Sequence, residues 1–143
     1  ADGIIASVNV PSEARVNVIV PARHTAASLG RPTPRLLATR WSIHAGSADE
    51  AWQALRSWRG LRAPGRLEAV DPMDLRQRAD EMPREEVLGR YAVVADAEAI
   101  AATYRPLVDD VGADIVAFQI ASLDQEETIR MIGAEVLPQL RAS

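Results

Sequence analysis

Short apolar runs alternate along the chain with longer segments of helical periodicity. The runs Ile4 to Val8, Leu36 to Ile43 and Asp114 to Ile120 are bounded by turn residues, a pattern typical of strands buried on both faces of a parallel sheet. Tyr91 to Ala95 is a further apolar run, ambiguous between a strand and a connector. Since helical segments separate the strands, the order predicts parallel βαβ units and an α/β fold.

Capping residues mark where the predicted helices begin and end. Ser47 and Glu50 have the spacing of a capping box, in which the serine hydroxyl accepts from the backbone at Glu50 and the carboxylate reaches back to the cap amide. Asp71 precedes a proline and predicts the start of a short helix. Gly30 and Gly112 follow predicted helix ends, where glycine is favoured.

Apolar stripes on these helices predict the core. Trp52 and Trp58 fall on the inward stripe of the helix that starts at Ser47, and Ile129 belongs to the stripe of the last helix. The stretch 60–90 between these helices is rich in proline, glycine and arginine, and is predicted to be an insertion of loops and short helices.

Composition narrows the classes of function. The chain has 143 residues, which suggests one domain or a piece of a larger one, and its composition, 48% apolar and 25% charged, is that of an ordinary globular chain and not of a disordered tail. No apolar run is long enough to cross a bilayer, so we expect no membrane partner. The net charge of -4 argues against a nucleic-acid partner. The absence of Cys excludes a disulfide scaffold, a thiolate zinc site and a cysteine nucleophile.

Three strands cannot cover the faces and edges of a parallel sheet, which suggests a larger assembly. A complete (β/α)8 barrel needs about 250 residues. The chain therefore has the length expected for the last three strands of a TIM barrel, their helices and the 60–90 insertion. On this basis residues 1–143 are expected to be a single α/β unit from the carboxy-terminal portion of a larger barrel.

An ordered series of short motifs is similar to the carboxy-terminal part of the luciferase-like, monooxygenase-like oxidoreductases. The likeness is to the branch that uses coenzyme F420, a deazaflavin, and that includes the F420-dependent glucose-6-phosphate dehydrogenase family. The motifs, in chain order, are Ala1-Asp2-Gly3-Ile4-Ile5, Asp71-Pro72, Ala79-Asp80, Pro83, Gly89-Arg90-Tyr91, Gly112-Ala113-Asp114, Asp124-Gln125-Glu126 and Glu135-Val136-Leu137-Pro138-Gln139-Leu140-Arg141. Together they span essentially the whole chain.

The resemblance implies a partial TIM barrel in which the three strong strands are the sixth, seventh and eighth. It also implies hydride transfer between F420, or alternatively flavin mononucleotide (FMN), and an alcohol or carbonyl substrate in the cytoplasm. The base and the cofactor-holding residues of the family belong to earlier strands, so none is carried onto this chain. We therefore expect it to need the rest of the barrel or a second chain, and to be inactive alone; homo-oligomerisation is left open.

The resemblance also implies two substrate contacts. In the sugar-phosphate branch of the family, three basic residues clamp the substrate phosphate. Arg90 falls on a family arginine, and Arg66 falls where the family has lysine and keeps the charge. Val10 stands where the third basic residue would be. With two cations of three, a less polar alcohol or ketone is the expected substrate.

The histidines and a cluster of aspartates are also candidate catalytic or metal-binding residues. His24 falls on a predicted helix with no second ligand, and His44 ends a strand but is isolated in sequence. The carboxylates of Asp109, Asp110 and Asp114 lack the convergent spacing of an oxygen-ligand site, so no metal is expected.

The alternative from a different class is a non-catalytic α/β remnant. Such a protein would act as a binding or assembly module through its open sheet edge, with the tryptophan-bearing helix burying against a partner.

Overall fold

The computed structural model describes residues 3–141, so Ala1 and Asp2 of the first motif lie outside the described residues. The strands are Gly3–Ser7 (β1), Arg35–His44 (β2), Ala92–Val94 (β3) and Ile115–Ala121 (β4). The α-helices are Pro11–Ala14 (α1), Val20–Ser28 (α2), Ala48–Ala54 (α3), Pro72–Asp80 (α4), Arg84–Leu88 (α5), Ala97–Asp109 (α6), Gln125–Met131 (α7) and Leu137–Arg141 (α8). Within residues 3–141, no helix has the length and apolarity needed to span a membrane.

The chain divides into two compact units. Unit 1 contains the residues up to Trp41, the segment Ala97–Gln119 and the residues from Ile132 onward. Here β1 runs parallel to β2, with Gly3 opposite Arg35 and Ser7 opposite Thr39, and β4 also pairs with β2. Parallel pairing with helical connections confirms the predicted α/β class.

Strand β1 has one exposed face. Ile5 is 80% exposed, whereas its neighbour Ala6 is buried. Among the described residues β1 pairs with β2 alone. The expectation that Ile4 to Val8 is buried on both faces is therefore wrong for this chain, because cover for the second face would have to come from residues beyond those described.

The first helical segment of unit 1 changes its pitch before a proline. The π-helical residues Arg15–Ile19 connect α1 to α2, and the Val20 amide donates to the Arg15 carbonyl. Pro21 has no amide hydrogen and therefore cannot donate the backbone hydrogen bond that an α-helix would form at residue 21. Gly30, which has φ +65, follows the end of α2 as predicted.

Unit 2 contains Ser42–Asp96 and Ile120–Met131. The last residues of β2 pair in parallel with β3, Ser42 opposite Ala92 and His44 opposite Val94. This pairing resolves the ambiguous run at 91–95 as a strand. A short strand of this kind is invisible to periodicity because its three residues are too few to reveal a period.

The cap of α3 follows the predicted box with one difference. Glu50 N–H donates to Ser47 Oγ at 3.2 Å, as expected. The Glu50 carboxylate accepts instead from the Gly46 amide at 2.8 Å. Both bonds satisfy backbone donors that the first helical turn leaves without partners.

The insertion is organised around a buried cation. Arg59 lies at the start of the short 3-10 turn Arg59–Arg62, and its Nε is 2.5 Å from Asp80 Oδ1 at the end of α4. The Arg59 guanidinium also lies over the Trp52 ring, 4.4 Å from its centroid.

Trp52 is partly buried as expected, but the core assignment of Trp58 is wrong, since this side chain is 42% exposed. The helix ends at Ala54, so the stripe that predicted Trp58 does not extend to it.

The inward face of α7 differs from the predicted stripe. Thr128 is 2% exposed, while Ile129 is 67% exposed. The prediction that Ile129 belongs to the core is therefore wrong. The hydroxyl of Thr128 makes the hydrogen bonds that allow a polar side chain to be buried there.

Candidate functional site

Arg90 follows α5 and is held by two contacts in unit 2. Its Nη2 forms an ion pair with Glu86 Oε1 at 2.6 Å, and its Nη1 donates to the Arg62 carbonyl at 3.3 Å. The Arg90 side chain remains 42% exposed. The guanidinium is therefore oriented by the protein yet accessible to an anion or a hydrogen-bond acceptor.

Arg66 lies in the turn that separates the Arg59–Arg62 turn from α4, and it is exposed. The turn contains Gly65 at φ +67, where the Nη1 atom of Arg78 would lie 2.7 Å from an added Cβ. Arg78 also donates to the Pro64 carbonyl at 3.4 Å. The Arg62 carbonyl accepts a hydrogen bond from Arg90, so the segment that carries Arg66 is connected to Arg90, the other predicted substrate contact.

Val10 lies in unit 1, beyond the carboxyl end of β1, and is 45% exposed. It lines a surface cavity of about 470 Å³ that also contains Asn9 and Asn17. Glu13 is the one charged side chain among the described residues that line this cavity.

The chemistry of this cavity limits what it can hold. Apolar and amide groups suit a neutral substrate or one edge of a ring, whereas a carboxylate opposes an anion. Glu13 therefore disfavours an anionic group at this cavity.

A hydrogen-bonded group that sequence analysis missed lies at the strand ends of unit 2. His44 Nδ1 at the end of β2 is 2.9 Å from Thr128 Oγ1. The same hydroxyl is 2.9 Å from Ser122 Oγ and 2.8 Å from the Asp124 carbonyl. These four residues form one hydrogen-bonded group in unit 2. In the sequence, the group is indicated only by the spacing of Thr128, four residues after the capping residue Asp124. At this spacing a threonine hydroxyl can donate to the carbonyl four residues earlier.

The remaining candidates give no site. His24 is exposed on α2. Within residues 3–141, no three or more His, Asp or Glu side chains converge as a metal centre requires.

No protein-family model matches the chain. Over 147 residues the chain is 28% identical to an F420-dependent glucose-6-phosphate dehydrogenase of Microbacterium testaceum (strain StLB037), which covers 99% of the chain and 43% of that enzyme. Two enzymes of the same name, from Nakamurella multipartita and Kineococcus radiotolerans, are 29% and 31% identical over 66% and 64% of the chain, each across 28% of its own length.

The fold has a solved counterpart. The chain superposes on an F420-dependent secondary alcohol dehydrogenase, solved in complex with an F420-acetone adduct, with a TM-score of 0.76 and 22% identity. The match covers 99% of this chain and 43% of that one. The sequence matches to F420-dependent glucose-6-phosphate dehydrogenases confirm the predicted resemblance. The superposition confirms the predicted fold, a partial barrel. The chain spans less than half the length of these relatives.

Proposed function

We propose that the chain is the carboxy-terminal part of a luciferase-like oxidoreductase that transfers a hydride between coenzyme F420 and an alcohol or carbonyl substrate. The observation that carries this proposal is the match of nearly the whole chain to F420-dependent glucose-6-phosphate dehydrogenase. The cofactor, when bound, supplies the ring that accepts or returns the hydride. FMN is the alternative cofactor, and a non-catalytic binding module is the alternative function.

Among residues 3–141, the second edge of β1 has no partner strand, which supports the need for further barrel strands. Ile5 is 80% exposed on β1, and Val16 and Val18 in the following helical segment are 66% and 44% exposed. An unpaired strand edge beside exposed apolar side chains is a template for another strand. We propose that a preceding strand pairs here, from the same polypeptide or a second one, and that the cofactor-binding residues arrive with it.

Arg66 and Arg90 are proposed as substrate contacts. The Glu86 ion pair and the Arg62 carbonyl orient Arg90, which leaves its charge half exposed for a ligand oxygen. Val10, at the third position, offers an apolar surface and Glu13 lies in its cavity. The apolar Val10, which stands where the family has a third basic residue, favours a neutral alcohol or ketone over a sugar phosphate.

The first experiment is to purify the native protein that carries this sequence, record its intact mass and absorption spectrum, and assay F420 reduction with 2-propanol and with glucose 6-phosphate. We expect a polypeptide or complex larger than this chain, bound or added F420, and turnover of the alcohol. A colourless single chain that unfolds cooperatively and binds no F420 would support the binding module instead.

A matched pair of variants tests the contacts. Arg90→Ala is expected to raise KM about tenfold, because a hydrogen bond to a charged group contributes roughly one to two powers of ten in affinity. Arg130→Ala is the control, since Arg130 forms an equivalent i,i+4 ion pair with Glu126 at 2.7 Å. Equal kinetics for the two variants would argue against Arg90 as a contact.

A further inference from the structure

The hydroxyl of Thr128 has three neighbours and one proton. The Asp124 carbonyl, 2.8 Å away, can only accept a hydrogen bond. If the Thr128 proton goes to that carbonyl, the two lone pairs of Oγ1 remain for Ser122 Oγ and His44 Nδ1, each at 2.9 Å. The Asp124 carbonyl also accepts from the Thr128 amide at 3.2 Å. This assignment satisfies all three contacts of the hydroxyl, and any other leaves Thr128 Oγ1 and the Asp124 carbonyl oxygen 2.8 Å apart with no proton between them. Because Thr128 is 2% exposed, water does not offer a ready substitute.

The protonation of His44 follows from this assignment. Nδ1 must carry a hydrogen in order to donate to Thr128, so Nε2 of the neutral ring carries a lone pair. Within residues 3–141, Nε2 has no hydrogen-bond partner, and the side chain is partly exposed. A partly exposed histidine that is held in this tautomer presents Nε2 as a hydrogen-bond acceptor for a hydroxyl group.

The position of the ring connects it to the proposed reaction. His44 is the last residue of β2, and Ser122 follows the end of β4 at Ala121. Substrates of TIM barrels bind at the carboxyl ends of the strands. We infer that His44 is a substrate contact whose Nε2 accepts a hydrogen bond from the hydroxyl of an alcohol, with Thr128 as the positioning residue. The choice of ligand rests on the proposed function, whereas the tautomer does not.

Nitrogen-15 NMR of the histidine rings tests the tautomer directly. His24→Asn and His44→Asn assign the signals of the two rings in this sequence, and the exposed His24 serves as the internal reference. At about pH 8.5, where imidazoles are neutral, we expect His44 to be in the Nδ1–H form. An Nε2–H form in the wild-type protein would overturn the inference without recourse to any variant.

Two substitutions test the role of Thr128. Thr128→Val keeps the shape but removes the hydroxyl, and is expected to lower the ratio of Nδ1–H to Nε2–H forms about tenfold. Thr128→Ser restores the acceptor and should restore the ratio. Circular dichroism checks that both variants are folded. An unchanged ratio in folded Thr128→Val would refute the positioning role.

Ligand contact is tested on the complete native protein. Addition of 2-propanol is expected to shift the Nε2 resonance of His44, while acetone, which has no hydroxyl, leaves it in place and His24 is unaffected by either. Equal responses to the two compounds, or no response, would overturn the substrate contact. The F420 assay is independent of this outcome, so the failure of the contact and the failure of the proposed function are distinguishable.

Discussion

Removal of the Asp80 carboxylate is expected to destabilise the insertion of unit 2 by leaving a buried guanidinium without its counter-ion. The Arg59 side chain is 11% exposed and its Nε lies 2.5 Å from Asp80 Oδ1. The pair joins the turn at Arg59–Arg62 to the end of α4. Asp80→Ala would therefore loosen both ends of the loop that carries Arg66.

The burial of the two partners sets the expected magnitude. Loss of one partner of a fully buried ion pair costs roughly 3–5 kcal/mol, while an exposed pair contributes about 0–1 kcal/mol. Asp80 is 43% exposed, so water already screens the carboxylate. The Trp52 ring still faces the guanidinium after the substitution and retains its own attraction. We expect Asp80→Ala to lower the free energy of unfolding by about 2 kcal/mol, between the two limits.

Equilibrium urea unfolding followed by tryptophan fluorescence measures this change. Glu126→Ala is the matched control, because its partner Arg130 is 69% exposed and the pair is also close, at 2.7 Å. The control should change the free energy by less than about 0.5 kcal/mol. A second variant, Arg59→Met combined with Asp80→Ala, removes the stranded charge and should recover part of the loss. The reasoning is refuted if the double variant is no more stable than Asp80→Ala, or if Asp80→Ala and Glu126→Ala behave alike.

Three further changes test the core and the turns by thermal or urea unfolding. Leu36→Ala removes a side chain that is 0% exposed and should cost about 2–5 kcal/mol, whereas Leu67→Ala, 84% exposed in the wild type, should cost little; equal effects would contradict the assigned core. Gly112→Ala forces a side chain into φ +69 and should cost about 1 kcal/mol, while Gly133→Ala in a helical segment should be neutral or stabilising. Tyr104→Phe removes a hydroxyl that donates to a backbone carbonyl at 2.7 Å and should cost roughly 1 kcal/mol; no loss would show that this bond contributes nothing net.

Local signals in the sequence predicted local structure well. Asp71 accepts from the Met73 amide at 2.8 Å, which confirms the start of α4. Gly30 and Gly112 have the positive φ expected after helix ends. Such features need only a few neighbouring residues, so tertiary packing has little opportunity to override them.

The candidate site was predictable only in part. Arg66 and Arg90 were found by resemblance, and their roles stay predictions. The sequence carries no sign that the Arg62 carbonyl and Glu86 together orient Arg90, because the first of these lies 28 positions away. The division into two units was likewise not anticipated, and the single-unit prediction stays open.

The sequence by itself determined the alternation of strands and helices, the caps and the partial-barrel resemblance, since all three depend on residue order. Only the tertiary structure decided which faces are buried. It exposed Ile5 and Ile129 and buried Thr128, against the apolar pattern. It also brought His44 to Thr128 across 84 positions. Burial and hydrogen bonding depend on neighbours that are distant in sequence, and periodicity along one segment contains no information about what that segment meets.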